Sequence, residues 1–168
     1  MLSEVSIRPA RLPNDAVELA EIYLSSAGRH TRLDPDRYRI PDRDLLVAHF
    51  TQIYDGVGDQ IILVAESDHG LIGYVEACRR AEPPPTSMLK PVPTASIDIA
   101  VLDSHRGRGI GRSLMNAAAD WANRQQIGSL VLDVLLANTA AVGFYSSCGY
   151  RPYGQLMEYQ PPAHRHTG

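Results

Sequence analysis

Cysteine is scarce in this chain: Cys78 and Cys148 are its only two among 168 residues. They stand far apart and form no CxxC pair, which argues against a disulfide framework and a thiolate metal site. Free thiols buried in a reducing cytosol are the expectation. Long apolar runs are missing too. No stretch approaches the ~18 residues that suggest a membrane span. The opening MLSEVSIRPARL lacks the apolar core of a signal peptide. Charge of one sign is in small excess, since 16 Lys and Arg oppose 19 Asp and Glu for a net −3. That balance supplies no basic footprint for nucleic acid or an anionic membrane. No internal repeat is present, and His164 and His166 in the tail PPAHRHTG make a poor metal site. The length points to one domain over residues 1–160 with a loosely packed tail over 161–168, in a cytoplasmic protein without a metal.

The polar and glycine punctuation divides the chain. VSIRPA reads as a first strand. Pro13-Asn14-Asp15 opens a helix with apolar positions Val17, Leu19, Ala20, Ile22, Tyr23 and Leu24, which Gly28 is expected to stop. HTRLDPDRYRIPDRD reads as a loop or a broken turn. Leu45, Leu46, His49, Phe50 and Ile53 suggest a second helix closing near Gly56. QIILVAE and LIGYVEACR form a hairpin around SDHG. The five prolines of AEPPPTSMLKPVP make residues 81–93 a long loop, and such loops inside compact domains are usually functional or disordered. ASIDIAVL is a strand, LMNAAADWANRQQ a helix closed by Gly128, and SLVLDVLL a strand. Asn138 opens a last helix ended by Gly149, and YRPYGQLMEYQ suggests two short terminal strands. The order β-α-α-β-β-β-α-β-α-β-β predicts an α/β fold, a mixed sheet with helices on both faces.

The segment Asp103-Ser104-His105-Arg106-Gly107-Arg108-Gly109-Ile110-Gly111-Arg112-Ser113 lies between a strand and a helix. Glycines leave backbone N–H groups unobstructed. A helix N-terminus carries unpaired donors and partial positive charge. With three arginines added, a pyrophosphate is the natural ligand. A Walker A loop would need lysine where Arg112 stands and glycine where Arg106 stands. A GxGxxG fingerprint begins at Gly107 and Gly109 but meets Arg112 in its last place. The pattern [RQ]xxGxG fits throughout, as Arg106, Gly109 and Gly111.

At these residues the chain resembles the GNAT superfamily of acyl-coenzyme-A-dependent N-acetyltransferases. The preceding IDIAVLDSHRG is similar to that family's fourth strand. The segment from Asn138 through Phe144 and Tyr145 to Gly149-Tyr150 is similar to its NxxAxxFYxxxGF/Y pattern. The close match runs from about Ala95 to Tyr153; residues 29–95 match in layout only. The resemblance implies a GNAT fold with the sheet splayed between its fourth and fifth strands. It implies acetyl-coenzyme A as co-substrate, its pyrophosphate held by Arg106, Gly107, Arg108, Gly109, Ile110, Gly111, Arg112 and Ser113. The backbone of Ile99, Val101 and Leu102 would hold the pantetheine arm.

The chemistry implied is attack of a neutral amine on a thioester. Tyr145 is the candidate general acid for the departing sulfur; packing as a core aromatic is its plainer role. Asn138 is a candidate partner of the pantetheine and equally a helix N-cap. Asp98 is the candidate general base, with Glu76 as second choice, and a solvent-facing strand residue is the plain alternative for Asp98. Residues 29–43 mix Arg29, His30, Arg32 and Arg37 with Asp34, Asp36 and Asp42, so the acceptor is not readable. Residues 83–93 are expected to border its site. Partners expected are a small-molecule or peptide amine and, at most, a second copy of the chain as a homodimer, with no nucleic acid and no membrane. A domain that binds acyl-coenzyme A without turnover is the rival reading.

Overall fold

The computed structural model describes residues 5–52 and 59–159. Ile53, Gly56 and the tail 161–168 lie outside the described residues. The elements run β1 (Ser6–Pro9), α1 (Ala16–Leu33), α2 (Arg43–Gln52), β2 (Gln60–Ser67), β3 (Gly70–Arg79), β4 (Thr94–Val101), a 3-10 turn (Asp103–His105), α3 (Ile110–Arg124), β5 (Ser129–Val131) and α4 (Thr139–Ser147). The five strands form one sheet in sequence order, antiparallel except for the parallel pair β4–β5. Among the described residues no helix is long and apolar enough to cross a membrane.

Strand alternation sorts the core onto two faces. Ile62, Val64, Tyr74 and Ala100 pack with Leu19, Ala20 and Ile22 of α1 and with Leu46 and Phe50 of α2. Leu63, Ala65, Val75, Ile97 and Val101 pack with Ile110, Leu114, Met115 and Ala118 of α3. Burial on both faces explains the uninterrupted apolar runs of β2 and β3. Each fully buried large aliphatic contributes roughly 1.5–3 kcal/mol. Val17 and Leu45 face solvent instead. In α2 the stripe is set by Leu46 and Phe50 at i, i+4 spacing, and Leu45 sits about 100° away around the helix.

Three elements depart from the sequence reading. α1 runs through Gly28 to Leu33. An interior glycine costs only about 1 kcal/mol relative to alanine, and the following turns hold it. The real stop is Asp34 before Pro35, a position pushed out of the helical region; Asp34 has φ −150° and ψ 86°. β5 ends at Val131, because its parallel ladder with β4 spans only Thr94↔Ser129, Ala95↔Leu130 and Ser96↔Val131. Among the described residues, 97–101 of β4 therefore have no strand partner on that side, and the sheet splays there. The two terminal strands do not form over residues 151–159, which are exposed coil. A three-residue β5 offers no ladder for them, and Pro152 lacks a donor.

One ion cluster ties the start of α1 to the sheet edge. The Arg8 guanidinium donates to Glu66 through Nε (2.6 Å) and Nη2 (2.7 Å) and to Asp15 through Nη1 (2.7 Å). Asp15, buried at 6 % exposure, also accepts from the Arg11 N–H at 2.7 Å. Burial alone would raise the Asp15 pKa, but the bonds from Arg8 and Arg11 outweigh it and hold the carboxyl below its ordinary value. Stability from such a group is present above the unfolded pKa of ~3.9 and is lost as pH falls through the lower folded value. Asp15→Ala should cost about 2–3 kcal/mol at neutral pH. Urea denaturation should show that gap constant down to about pH 5 and shrinking below pH ~4.

Candidate active site

The loop after β4 begins where the Leu102 N–H donates back to Ile72 O at 2.9 Å, the last tie of β4 to β3. Past the 3-10 turn, Gly107 (φ +73°) and Gly109 (φ +82°) lie in the left-handed region that side chains disfavour. A Cβ at either would meet nothing within 4 Å, so both open onto free space. Gly109 precedes α3 with no side-chain cap, leaving the first-turn donors of that helix aimed at the same space. Arg106 is fixed beside them by Nε contacts to Val101 O (3.2 Å) and Asp103 (3.3 Å). Arg29 of α1 bonds the same Asp103. The loop thus joins backbone donors, arginine charge and room, which is what an anion needs.

Not every residue of the loop faces that space. Ile110 is core, at 6 % exposure. A Cβ on Gly111 would stand 3.0 Å from Phe144 Cζ, so this glycine lets α3 approach α4. Arg112 spans to the end of α4, donating to Ser147 O and Oγ at 3.0 Å each. Arg108 and Ser113 are exposed.

Main-chain direction alternates along β4. Since Leu102 points back at β3, Val101 and Ile99 present their backbone groups to the unpaired side of residues 97–101. The bond from Arg106 to the Val101 carbonyl fits that assignment. The Leu102 N–H itself is already engaged by Ile72.

On the α1–α2 side of the sheet two carboxylates meet. Glu76 and Asp98 are directly paired in the β3–β4 register. Ile97 and Ile99, their flanking neighbours on β4, pack on the opposite face. Tyr74, itself buried, donates from its hydroxyl to Asp98 Oδ2 at 3.4 Å, and Gln60 Nε2 donates to Glu76. Asp98 is exposed at the mouth of an open cleft, with protein crowded around its carboxylate. Loss of solvent therefore raises its pKa, against the opposing Tyr74 hydroxyl, Ile99 N–H and His30. Burial likewise raises Glu76, aided by the Asp98 charge and opposed by Gln60. The cleft, open to solvent on one side, offers about 260 Å³, and Tyr23, His30, Tyr38, Arg39 and Asp133 line it with Asp98. The His30 and Tyr38 rings lie 5.2 Å apart, and His30 Nδ1 stands 3.0 Å from Ser26 O.

Across β4 stands α4. Asn138 caps it, its Oδ1 accepting from the Ala141 N–H at 3.2 Å. The cap leaves its amide N–H groups free to donate elsewhere. Gly149 (φ +89°) closes the helix, with Gly149 N–H to Ser146 O and Tyr150 N–H to Tyr145 O, both 3.0 Å. This Schellman closure sets Tyr150 against Tyr145, ring centroids 6.1 Å apart. Phe144 and Tyr145 pack against the α3-side cluster to which Ile99 also belongs. Burial, the Asp98 charge and Cys148 raise the Tyr145 pKa, while Arg106 opposes them. The phenol is therefore protonated at neutral pH.

The structure thus brings Asp98, Tyr145 and the Arg106 loop together about the open edge of β4, with Glu76 beside Asp98 on β3 and Asn138 at the start of α4. Sequence reasoning missed Tyr23, Tyr38, Tyr74, Arg39 and Asp133. A signal existed on α1: Tyr23, Ser26, Ala27 and His30 follow i, i+3, i+4, i+7 and all line the cleft. Stopping the helix at Gly28 hid it. Among the described residues none of the proline-rich loop 83–93 lines this cleft; its wall comes from α1, the segment before α2, Asp98 of β4 and Asp133. Among the described residues no three His, Cys, Asp or Glu side chains gather as metal ligands.

Known proteins are similar to this chain. A streptothricin acetyltransferase of Streptomyces lavendulae is 45 % identical over 53 residues, which is 32 % of this chain and 28 % of that protein. A spermidine N(1)-acetyltransferase of Vibrio cholerae is 32 % identical over 66 residues, 39 % of this chain and 38 % of that protein. The chain thus spans well under half the length of these curated relatives. A solved mutant of the BH1408 protein from Bacillus halodurans superposes with a TM-score of 0.84 at 26 % identity, covering 93 % of this chain and 99 % of that one. The family model described as "Acetyltransferase (GNAT) family" matches residues 18–150. With the motif, the splayed sheet and this match agreeing, the chain belongs to the acetyltransferase (GNAT) family.

Proposed function

We propose that this protein is an N-acetyltransferase that passes the acetyl group of acetyl-coenzyme A directly to a primary amine. The observation that carries the reading is the unpaired edge of β4, which ends in the Arg106–Gly109 anion loop and has Tyr145 on one side and Asp98 on the other. The space at Gly107 and Gly109 and the donors of α3 suit a pyrophosphate, with Arg106 supplying full charge. The outward-facing backbone at Ile99 and Val101, where Arg106 holds the Val101 carbonyl and Asp98 takes the Ile99 N–H, suits an amide-bearing arm that lies along the edge and exchanges for these contacts. Asn138 has donors left for the same arm. The co-substrate supplies a thioester as acyl donor.

The chain's own groups manage the protons. An alkyl amine is mostly protonated near neutral pH and must lose a proton to attack. Asp98 accepts it, directly or through a water in the cleft, and its raised pKa makes it a better base than an ordinary carboxylate. Glu76, held by Gln60, adds negative potential beside it. As the N–C bond forms and the C–S bond breaks, the Tyr145 hydroxyl protonates the departing thiolate, and solvent then reprotonates the phenolate.

Two experiments test this. Coenzyme A should raise the melting temperature in proportion to the logarithm of its concentration over Kd. Gly109→Glu should abolish the shift, because it puts a side chain and a negative charge into the anion space. A folded Gly109→Glu protein with the parent's shift would contradict the placement. Second, acetyl-coenzyme A with a panel of amines should release thiol only when an accepted amine is present.

A further inference from the structure

The cleft at Asp98 carries three exposed charged groups that the described residues leave without an ionic partner. Among the described residues Asp98, Asp133 and Arg39 enter no ion pair, whereas nearby Arg37 is held by Asp34 and Glu158, and Arg29 by Asp103. A ligand that fills the cleft strips water from these charges, and a desolvated charge without a counter-charge is costly. The complement of two acids and one arginine is a molecule with two amines and one carboxylate. The space of about 260 Å³, open to solvent on one side, suits a short chain; pockets for drug-sized ligands usually run ~300–1,000 Å³. The rings of Tyr23, His30 and Tyr38 supply walls against which a short methylene chain can lie.

Building on the N-acetyltransferase reading, we propose that the acceptor is a small basic amino acid of the ornithine or lysine kind. One amine sits at Asp98 and is acetylated, the second ammonium faces Asp133, and the Arg39 guanidinium takes the carboxylate. A polyamine would leave Arg39 unmatched and press a cation towards it. An aminosugar brings no carboxylate. A lysine inside a protein has its carboxylate tied up in a peptide bond.

Matched amines test the assignment by kcat/KM. Lysine and ornithine should each exceed their decarboxylated counterparts, cadaverine and putrescine, by about tenfold or more, the usual worth of one hydrogen-bonded charge pair. Lysine should exceed ε-aminocaproate, which lacks the second amine, by a similar factor. Arg39→Gln should erase the advantage over the diamines, and Asp133→Asn the advantage over ε-aminocaproate; the coenzyme A melting shift checks that both variants are folded. Diamines used as well as the amino acids, or a preference that survives Arg39→Gln, would overturn the proposal. Turnover of another amine class with none of these five would overturn it while leaving the acetyltransferase reading intact. Absence of amine-dependent thiol release with any amine, despite coenzyme A binding, would overturn that reading and this inference with it.

Discussion

Tyr145→Phe should lower turnover by ~10²–10⁴-fold, the usual worth of general acid catalysis. That is roughly 3–5 kcal/mol of transition-state stabilisation at ~1.36 kcal/mol per decade. Phenylalanine keeps the ring that packs against Phe144 and Tyr150 and removes only the hydroxyl. The Schellman closure that positions the residue uses its backbone carbonyl, so the substitution leaves that intact. Coenzyme A affinity should change little, because a neutral hydrogen bond to sulfur is weak. Burial keeps the phenol protonated, so the parent's acid limb should not come from Tyr145. A loss confined to stability would make Tyr145 a packing residue and leave the thiolate to take its proton from water.

Asp98→Asn should separate rate from stability. Turnover should fall by ~10²-fold or more as the base is lost. The acid limb of kcat/KM that titrates with Asp98, above the ordinary carboxylate range, should vanish. Stability should move the other way. Desolvation raises the folded pKa of Asp98 above the unfolded value of ~3.9, against Tyr74, Ile99 and His30. Between the two values the folded chain keeps a proton that the unfolded chain has released. The stability this group contributes is therefore complete below pH ~3.9 and is lost as pH rises through the folded pKa. At neutral pH the ionised group is a standing cost. Asparagine removes that cost and still accepts from the Tyr74 hydroxyl. Urea denaturation should find the variant more stable than the parent at about pH 7.5 and equal to it near pH 4. An equal destabilisation at both values would mark Asp98 as a structural partner of Tyr74 and nothing more.

The half of the site built from local signals was readable before the fold. The glycine spacing of residues 106–111 fixes a strand-to-helix turn whatever surrounds it. Asn138 and Gly149 bracket α4 by capping chemistry that depends on neighbours within a few residues. The acceptor side was not readable in the same way. Its cleft takes Tyr23 and His30 from α1, Tyr38 and Arg39 from the following segment, Asp98 from β4 and Asp133 from beyond β5. Periodicity tells which residues share a helix face, but not which strand that face meets. The misplaced end of α1 shows the limit of local propensity. Gly28 costs the helix only about 1 kcal/mol, and the turn beyond it is tied down by Arg29 to Asp103 and by the Thr31 hydroxyl to Ala27 O, while Asp34 before Pro35 meets a steric restriction that packing does not relieve. The missing terminal strands show a related limit: residues 151–159 have strand-like composition, but a strand needs a partner edge, and β5 ends at Val131.

Acetyl transfer by direct attack is tested most directly with isotopically labelled acetyl-coenzyme A, the protein and an accepted amine. Free thiol and labelled N-acetyl amine should appear in equal amounts, only when amine is present. Initial rates should depend on the two substrates in an intersecting pattern, and no label should remain on the protein. Thiol released without amine, label recovered on the protein, or coenzyme A bound tightly with no label on any amine would contradict the account.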